Sequence, residues 1–477
     1  MRSHRLSDLA AWTDGRVEGD PTTVVGPDVV IDSRLATPGC LFVALPGEHV
    51  DGHDFTARAA DAGAAAVLAS RPTGAPVPHL LVDDPLAGLS GLARAVVDEA
   101  RAAGLVTLAI TGSSGKTSTK DLLAQVLEAE GPTVAPVGSF NNEIGVPLTA
   151  TGIDEQTRFL VSEMGARGQG HIAWLCSMTP PLVSMVLNVG SAHLGEFGSV
   201  EGIARAKGEI VEALPAEGWA VLNADDRRVA AMASRTIGQL AWFSAADARP
   251  EVDGPLVWAT RISLDDLQRP TFTLVFTDAA GEHRHQVSLA LLGRHMVANA
   301  AAAAAAAWRA GVAPERIAAS LTAARHRSHW RMQLEVAAHG GAVINDSYNA
   351  NPDSMKAALA ALGAIGAARR AAHPDATVIA VLGDMLELGP DSTTRHHEVG
   401  RWAAEAGVDL LLAIGDEAPA MVAGAAEAGL AGRVVSVDEA GSLDLGPHDV
   451  VLVKASRGLA LERVAAAVLA HVVEEKS

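Results

Sequence analysis

The chain has 477 residues, a formal net charge of −19 and two cysteines, Cys40 and Cys176. That length exceeds one ordinary core and predicts about three units of roughly 100–200 residues each, while the acidic balance argues against a nucleic-acid binder, which would present a basic face. The cysteines form no CxxC or metal-type spacing, which speaks against a disulfide framework or a structural zinc site. No apolar run reaches the ~20 residues of a bilayer span, and the opening MRSHRLSDLAAW lacks a secretory pattern, so a reduced, cytoplasmic chain without stable membrane insertion is expected.

Residues 1–103 predict a first α/β unit. VVIDSR, GCLFVAL and HLLVDD read as strands, and residues 54–70 (DFTARAADAGAAAVLAS) and 85–104 as helices, the latter with Pro85 at its start. A second unit, 104–327, opens on the apolar strand 105–111, which runs into a Gly/Ser loop and a helix. Strands 158–163 and 182–190 follow, and such buried runs alternating with helices predict a parallel sheet covered on both faces. Residues 255–292 alternate instead, with a turn at DAAG, and predict a small antiparallel extension. The run Ala300–Ala307 predicts a helix over 297–310. From about 328 to 477 strands and helices alternate again, a Rossmann-like third unit.

The strongest chemical signal is Thr111-Gly112-Ser113-Ser114-Gly115-Lys116-Thr117-Ser118, placed between a buried strand and a helix. Glycines let backbone amides face a phosphate, the helix N-terminus adds its positive end, Lys116 can reach terminal phosphates, and the Thr117 hydroxyl can bind magnesium. The general phosphate-loop pattern wants glycine at 110, where this chain has isoleucine. In an open parallel sheet ligands bind beyond the carboxyl ends of the strands, which predicts one crevice shared by Thr111, Glu163 and Asn188, with His193 following the third strand. Glu163 is a hard oxygen donor for magnesium. Lys207 is one of only six lysines, on a helical pattern, and by itself reads as a solvated charge.

These residues resemble the Mur ligases, whose phosphate loop is the shorter TG[ST][NS]GKT, so that Ile110 is no departure. The resemblance runs through Ser139-Phe140-Asn141-Asn142, Gly293–Asn299, Asn345–Pro352 and Leu452–Gly458. It implies three domains: an N-terminal α/β UDP-binding domain, a central parallel-sheet P-loop ATPase domain, and a C-terminal Rossmann-like domain. It implies ATP and two Mg²⁺ ions as cofactors, with Thr117 and Glu163 at the first ion and His193 and a carbamylated Lys207 at the second. Asn141, Asn142, Asn299 and Asp346 are implied at the nucleotide, and Arg331 at its phosphates once the third domain closes.

The N-terminal segments around Ser33-Arg34 and Asp51-Gly52-His53 resemble the UDP-binding domain of the later ligases. No Asp-Asn-Pro-Arg loop for reading diaminopimelate is present, whereas NDSYNANPDS and VLGDMLELG stand at the expected places. The resemblance therefore implies UDP-N-acetylmuramoyl-tripeptide and D-alanyl-D-alanine as substrates of a monomer. Tyr348, Asn349, Asn351, Ser456 and Arg457 are implied on the side of the incoming group. A ligase adding a single amino acid, a phosphate-loop kinase and a nucleotide-binding module without turnover stay open at this point.

Overall fold

A computed structural model describes residues 1–47, 50–190, 197–338 and 340–470; His193 lies outside them. Three larger sheets, beside a two-stranded ribbon of His4–Arg5 and Val24–Val25, organise these residues into a mixed α/β fold with parallel cores.

The first sheet is ordered Arg16–Glu18, His79–Leu81, Ala66–Ala69, Leu41–Val43, Val29–Val30, parallel except at its first strand. Two sequence expectations change here. The helix expected over 54–70 spans only Thr56–Asp61, and the rest becomes the strand Ala66–Ala69. Gly63 at φ +102 ends the helix, and the Ala-Val-Leu-Ala run is buried on both faces, which suits a central strand. The strand expected over VVIDSR stops at Val30, and Ser33–Leu35 is a 3₁₀ turn capped by Asp32. The helix Pro85–Ala102 forms as expected, with Pro85 in its first turn and Asp84 capping it.

The central sheet has nine described strands. From Thr133–Val134 the order runs through Phe159–Glu163, Val106–Thr111, Val183–Val186, Trp219–Asn223, Gln239–Ser244 and Leu256–Leu264, all parallel. The expected antiparallel extension then follows as Pro270–Asp278 and Gly281–Ser288. The strands Trp219–Asn223 and Gln239–Ser244 went unread in the sequence. The alanine run belongs to the helix His295–Arg309, and all eight of its alanines are at most 1% exposed. A helix apolar on every side has no solvent face. It packs against both the sheet and the phosphate-loop helix Lys116–Glu128, and methyl-sized side chains let both approach closely.

The third sheet is ordered Gln333–Val336, Ala342–Asp346, Val450–Lys454, Val378–Gly383, Leu410–Ile414, Gly432–Val434, parallel apart from its first strand. Its longest helix, Pro352–Ala372, starts at an Asn351 capping box and points its N-terminus at the central sheet's phosphate loop.

Candidate active site

Between the sheets lies a cleft of about 960 Å³, lined from all three of them but by Ile31 alone of the first unit. Its floor is the carboxyl edge of the central sheet. Val106–Thr111 pairs with Phe159–Glu163 on one side and Val183–Val186 on the other, so Glu163 sits opposite Ile110 and Val186 opposite Thr111. Parallel register thus delivers a carboxylate and the phosphate loop to the same sheet edge.

The loop Gly112–Gly115 is held by Asn188, whose backbone oxygen accepts from the Ser113 amide (3.2 Å) and whose Oδ1 accepts from the Ser114 amide (2.9 Å). Gly115 has φ +79, and a Cβ there would stand 2.6 Å from Asn299 Oδ1, so both backbone and space demand glycine. A Cβ on Gly112 would meet Leu187 at 2.9 Å. Lys116 Nζ donates to Gly112 O at 2.8 Å, folding the lysine over the loop. Burial lowers the Lys116 pKa; the charge of Glu163 opposes that shift and Arg331 adds to it. Thr117 and Ser118 line the same wall.

Glu163 is 1% exposed. Its Oε1 accepts from Asn141 Nδ2 at 2.8 Å, and its Oε2 is buried without a partner among the described residues. An orphaned carboxylate oxygen in a cleft is costly unless something positive is held there. Lys207 is 4% exposed, at the end of the helix Val200–Lys207, and it also lines the cleft. Burial, reinforced by repulsion from Lys116, holds its amine well below the usual lysine range. The solvated charge suggested by its segment alone is therefore not what the fold produces. Arg235 donates to the carbonyls of Ala204 and Arg205 in the last turn of that helix, at 3.2 and 2.8 Å.

Asn142, Asn299, Asp346, Asn349, Asn351, Ser456 and Arg457 all line the cleft, yet most already have partners. Asp346 receives Lys454 Nζ on Oδ2 (2.6 Å) and the Met332 amide on Oδ1 (2.9 Å). Asn142 Oδ1 caps Gly145, Asn351 caps its helix, and Asn349 Oδ1 accepts from Ala350 N. Ser456 Oγ accepts from the Leu386 amide, and Arg457 Nη1 donates to both carboxylate oxygens of Glu462. Arg331 lies with its guanidinium carbon 4.1 Å over the Tyr348 ring.

The expected UDP-side residues Ser33, Arg34, Asp51, Gly52 and His53 stand outside this cleft. Asp51 is held well below the usual carboxylate range, chiefly by Arg71 and His53, and His53 is buried with both ring nitrogens engaged, to Asp51 and Ser70. Two contributors escaped the sequence reading as site parts: Lys454 as the partner of Asp346, and Asp353, which approaches Gly190 beside Ser113; Asn188, expected at the crevice, is the loop's staple. The scarcity of lysine was the available signal for Lys454.

Three family models match the chain: "Mur ligase family, catalytic domain" over residues 28–96, "Mur ligase middle domain" over 110–307, and "Mur ligase, glutamate ligase domain" over 330–457. The UDP-N-acetylmuramoyl-tripeptide--D-alanyl-D-alanine ligase of Mycobacterium tuberculosis is 45% identical, with 93% of this chain and 92% of that protein covered. Among solved structures, MurF of Acinetobacter baumannii superposes with a TM-score of 0.85 at 31% identity, covering 99% of this chain and 100% of that one. MurF of Thermotoga maritima in complex with ADP gives 0.74 at 27%, covering 93% and 97%. With a phosphate loop, a buried carboxylate and a buried lysine converging at one sheet edge, and whole-length relatives of this kind, the chain belongs to the Mur ligase family, ATP-dependent ligases that form amide bonds.

Proposed function

We propose that this enzyme joins D-alanyl-D-alanine to UDP-N-acetylmuramoyl-tripeptide with hydrolysis of ATP to ADP and phosphate, in the synthesis of peptidoglycan precursors. The observation that carries the reading is identity to ligases of that name along nearly the whole chain. The proposed division of labour gives residues 1–103 the UDP moiety through Ser33, Arg34, Asp51, Gly52 and His53, residues 104–327 the ATP, and residues 328–477 the dipeptide.

An oxygen of the tripeptide's terminal carboxylate attacks the γ-phosphorus, and the bond to the departing ADP breaks. Such transfer needs positioning and charge neutralisation more than covalent help. In this reading Lys116, the loop amides and Arg331 neutralise the transferred group. Next, the free amine of the dipeptide attacks the acyl carbon; the C–O bond to phosphate breaks with its electron pair, and the amine's proton leaves to base or solvent. Water would destroy the acyl phosphate, which gives closure of the three-sided cleft its purpose.

The donors present suit divalent magnesium. Thr117 and the unpartnered Glu163 oxygen would hold one ion. Lys207, once carbamylated, would hold a second together with His193. Magnesium supplies charge neutralisation at the phosphate oxygens. Burial disfavours the charged amine and so favours the neutral form, the one that adds carbon dioxide, which supports the assignment of Lys207. Among the described residues no helix is long and apolar enough to cross a membrane, and a cytoplasmic monomer handling nucleotide-linked substrates completes the reading. The test is product analysis with ATP and UDP-muramoyl-tripeptide. A new amide should appear only with D-alanyl-D-alanine, and with lysine or diaminopimelate in its place none should form.

A further inference from the structure

Tyr348 is the chain's only tyrosine, and it makes three contacts of different kinds. Its hydroxyl lies 2.8 Å from Ser139 Oγ, in the loop that runs on to Asn141 and so to Glu163. Its ring carries the Arg331 guanidinium at 4.1 Å. Its amide donates to Trp330 O at 3.1 Å. The segment it supports is unusual: Trp330 and Met332, on either side of Arg331, both have left-handed φ, +61 and +51. Bulky residues adopt that region only when their surroundings impose it. Here the imposing contacts are the Tyr348 amide on Trp330 O, Asp346 on the Met332 amide, and the Arg457 guanidinium stacked 4.5 Å from the Trp330 ring. Among the described residues Arg331 has no hydrogen-bond partner for its buried Nε, so the tyrosine face is what fixes its aim, and its charge is felt at Lys116.

We propose that Tyr348 is a positioning residue, the latch that closes the third unit onto the phosphate-loop side. The Ser139–Tyr348 hydrogen bond joins the two units, and the same ring holds Arg331 over the cleft. Closure and delivery of the arginine are therefore one event rather than two. Tyr348 acts through Arg331 and Ser139 and need not touch the dipeptide. Only the kinetic arm of the test rests on the ligase reading.

A single tyrosine makes the test direct. Protein labelled with 3-fluorotyrosine gives one ¹⁹F resonance. Ser139→Ala should move it in the full-length protein, and that readout requires no activity. Kinetically, Tyr348→Phe and Ser139→Ala should each lower kcat about three- to tenfold, with a smaller change in the KM for ATP, because the phosphate loop is formed without the latch. The double variant should be no worse than either single one. Tyr348→Leu, which also removes the shelf under Arg331, should lose about threefold or more beyond Tyr348→Phe. Overturning results are a fluorine resonance indifferent to Ser139→Ala, single effects that multiply in the double variant, or a Tyr348→Phe defect confined to the KM for the dipeptide. A wild-type protein that forms no amide would sink the ligase reading while leaving the fluorine result to decide the latch.

Discussion

Lys207 is an amine enclosed at 4% exposure, with Lys116 the charge that acts on it. In the unmodified, ligand-free protein such a group opposes folding, because burial makes the folded chain hold the proton less tightly than the unfolded chain, which keeps it to about pH 10.4. Lys207→Met should therefore abolish turnover and yet stabilise the ligand-free fold by about 1–3 kcal/mol. Between the lowered folded-state pKa and about 10.4 the unfolded state binds the extra proton, so wild-type stability rises with pH across that window. The advantage of Lys207→Met should shrink as pH is raised, which denaturant titrations at two pH values would read. Glu163 makes the complementary case. Glu163→Gln keeps the size and the Asn141 contact but removes the charge facing the orphaned position. Turnover should fall about 10²-fold or more, with a raised magnesium requirement seen in steady-state rates.

Elements set where those residues point. The helix Val200–Lys207 ends under the Arg235 guanidinium, which occupies the space a side chain on Gly208 would need: a Cβ there would stand 1.9 Å from Arg235 Nη1. Gly208 has φ −67, so alanine strains no backbone and the arginine must move instead. Gly208→Ala should cost about 1–2 kcal/mol in lost hydrogen bonds and lower turnover by shifting Lys207; urea unfolding and product assays would separate the two effects. The helix His295–Arg309 shows the opposite demand, for smallness. Ala303 is fully buried in the core shared with the sheet and the phosphate-loop helix, so Ala303→Leu should destabilise by about 1–3 kcal/mol through overpacking, measurable by denaturant titration.

At the scale of the whole molecule, the third sheet meets the central one at the phosphate loop. Asp353, in the first turn of Pro352–Ala372, comes so near Gly190 that a Cβ there would lie 2.4 Å from Asp353 Oδ2. Gly190→Ala should leave nucleotide binding and melting nearly unchanged, since it removes no contact within the central unit. It should reduce kcat by holding the third unit away, a pattern that calorimetric nucleotide titration beside steady-state kinetics would reveal. The segment 325–328 is held by the phosphate-loop helix. Gln125, on the phosphate-loop helix, both accepts from the Arg325 amide (2.9 Å) and donates to its carbonyl (3.1 Å), and Asp121 accepts from Ser328 N (3.2 Å). The helix that starts at the phosphates thereby holds the chain segment leading to Arg331.

Local pattern was enough for much of this. A buried strand running into Gly-Ser-Ser-Gly-Lys-Thr, the alternating strands of 255–292, the alanine helix and the third βα series are short-range signals, because period and turn chemistry are written in neighbouring residues. The same locality explains the errors. Over 54–70 an alanine-rich run satisfies helix and buried strand alike, and only the sheet beside it chose the strand. Sequence could name Glu163, Lys207 and Arg331 as candidates, but their charge states and partners depend on chain segments far apart. Parallel register set Glu163 beside the phosphate loop, burial unsettled Lys207, and a tyrosine reaching Ser139 across 209 positions aimed Arg331. Residue type belongs to the chain alone; which side chains lose their water together is decided by the tertiary fold, and the chemistry of the cleft follows from that.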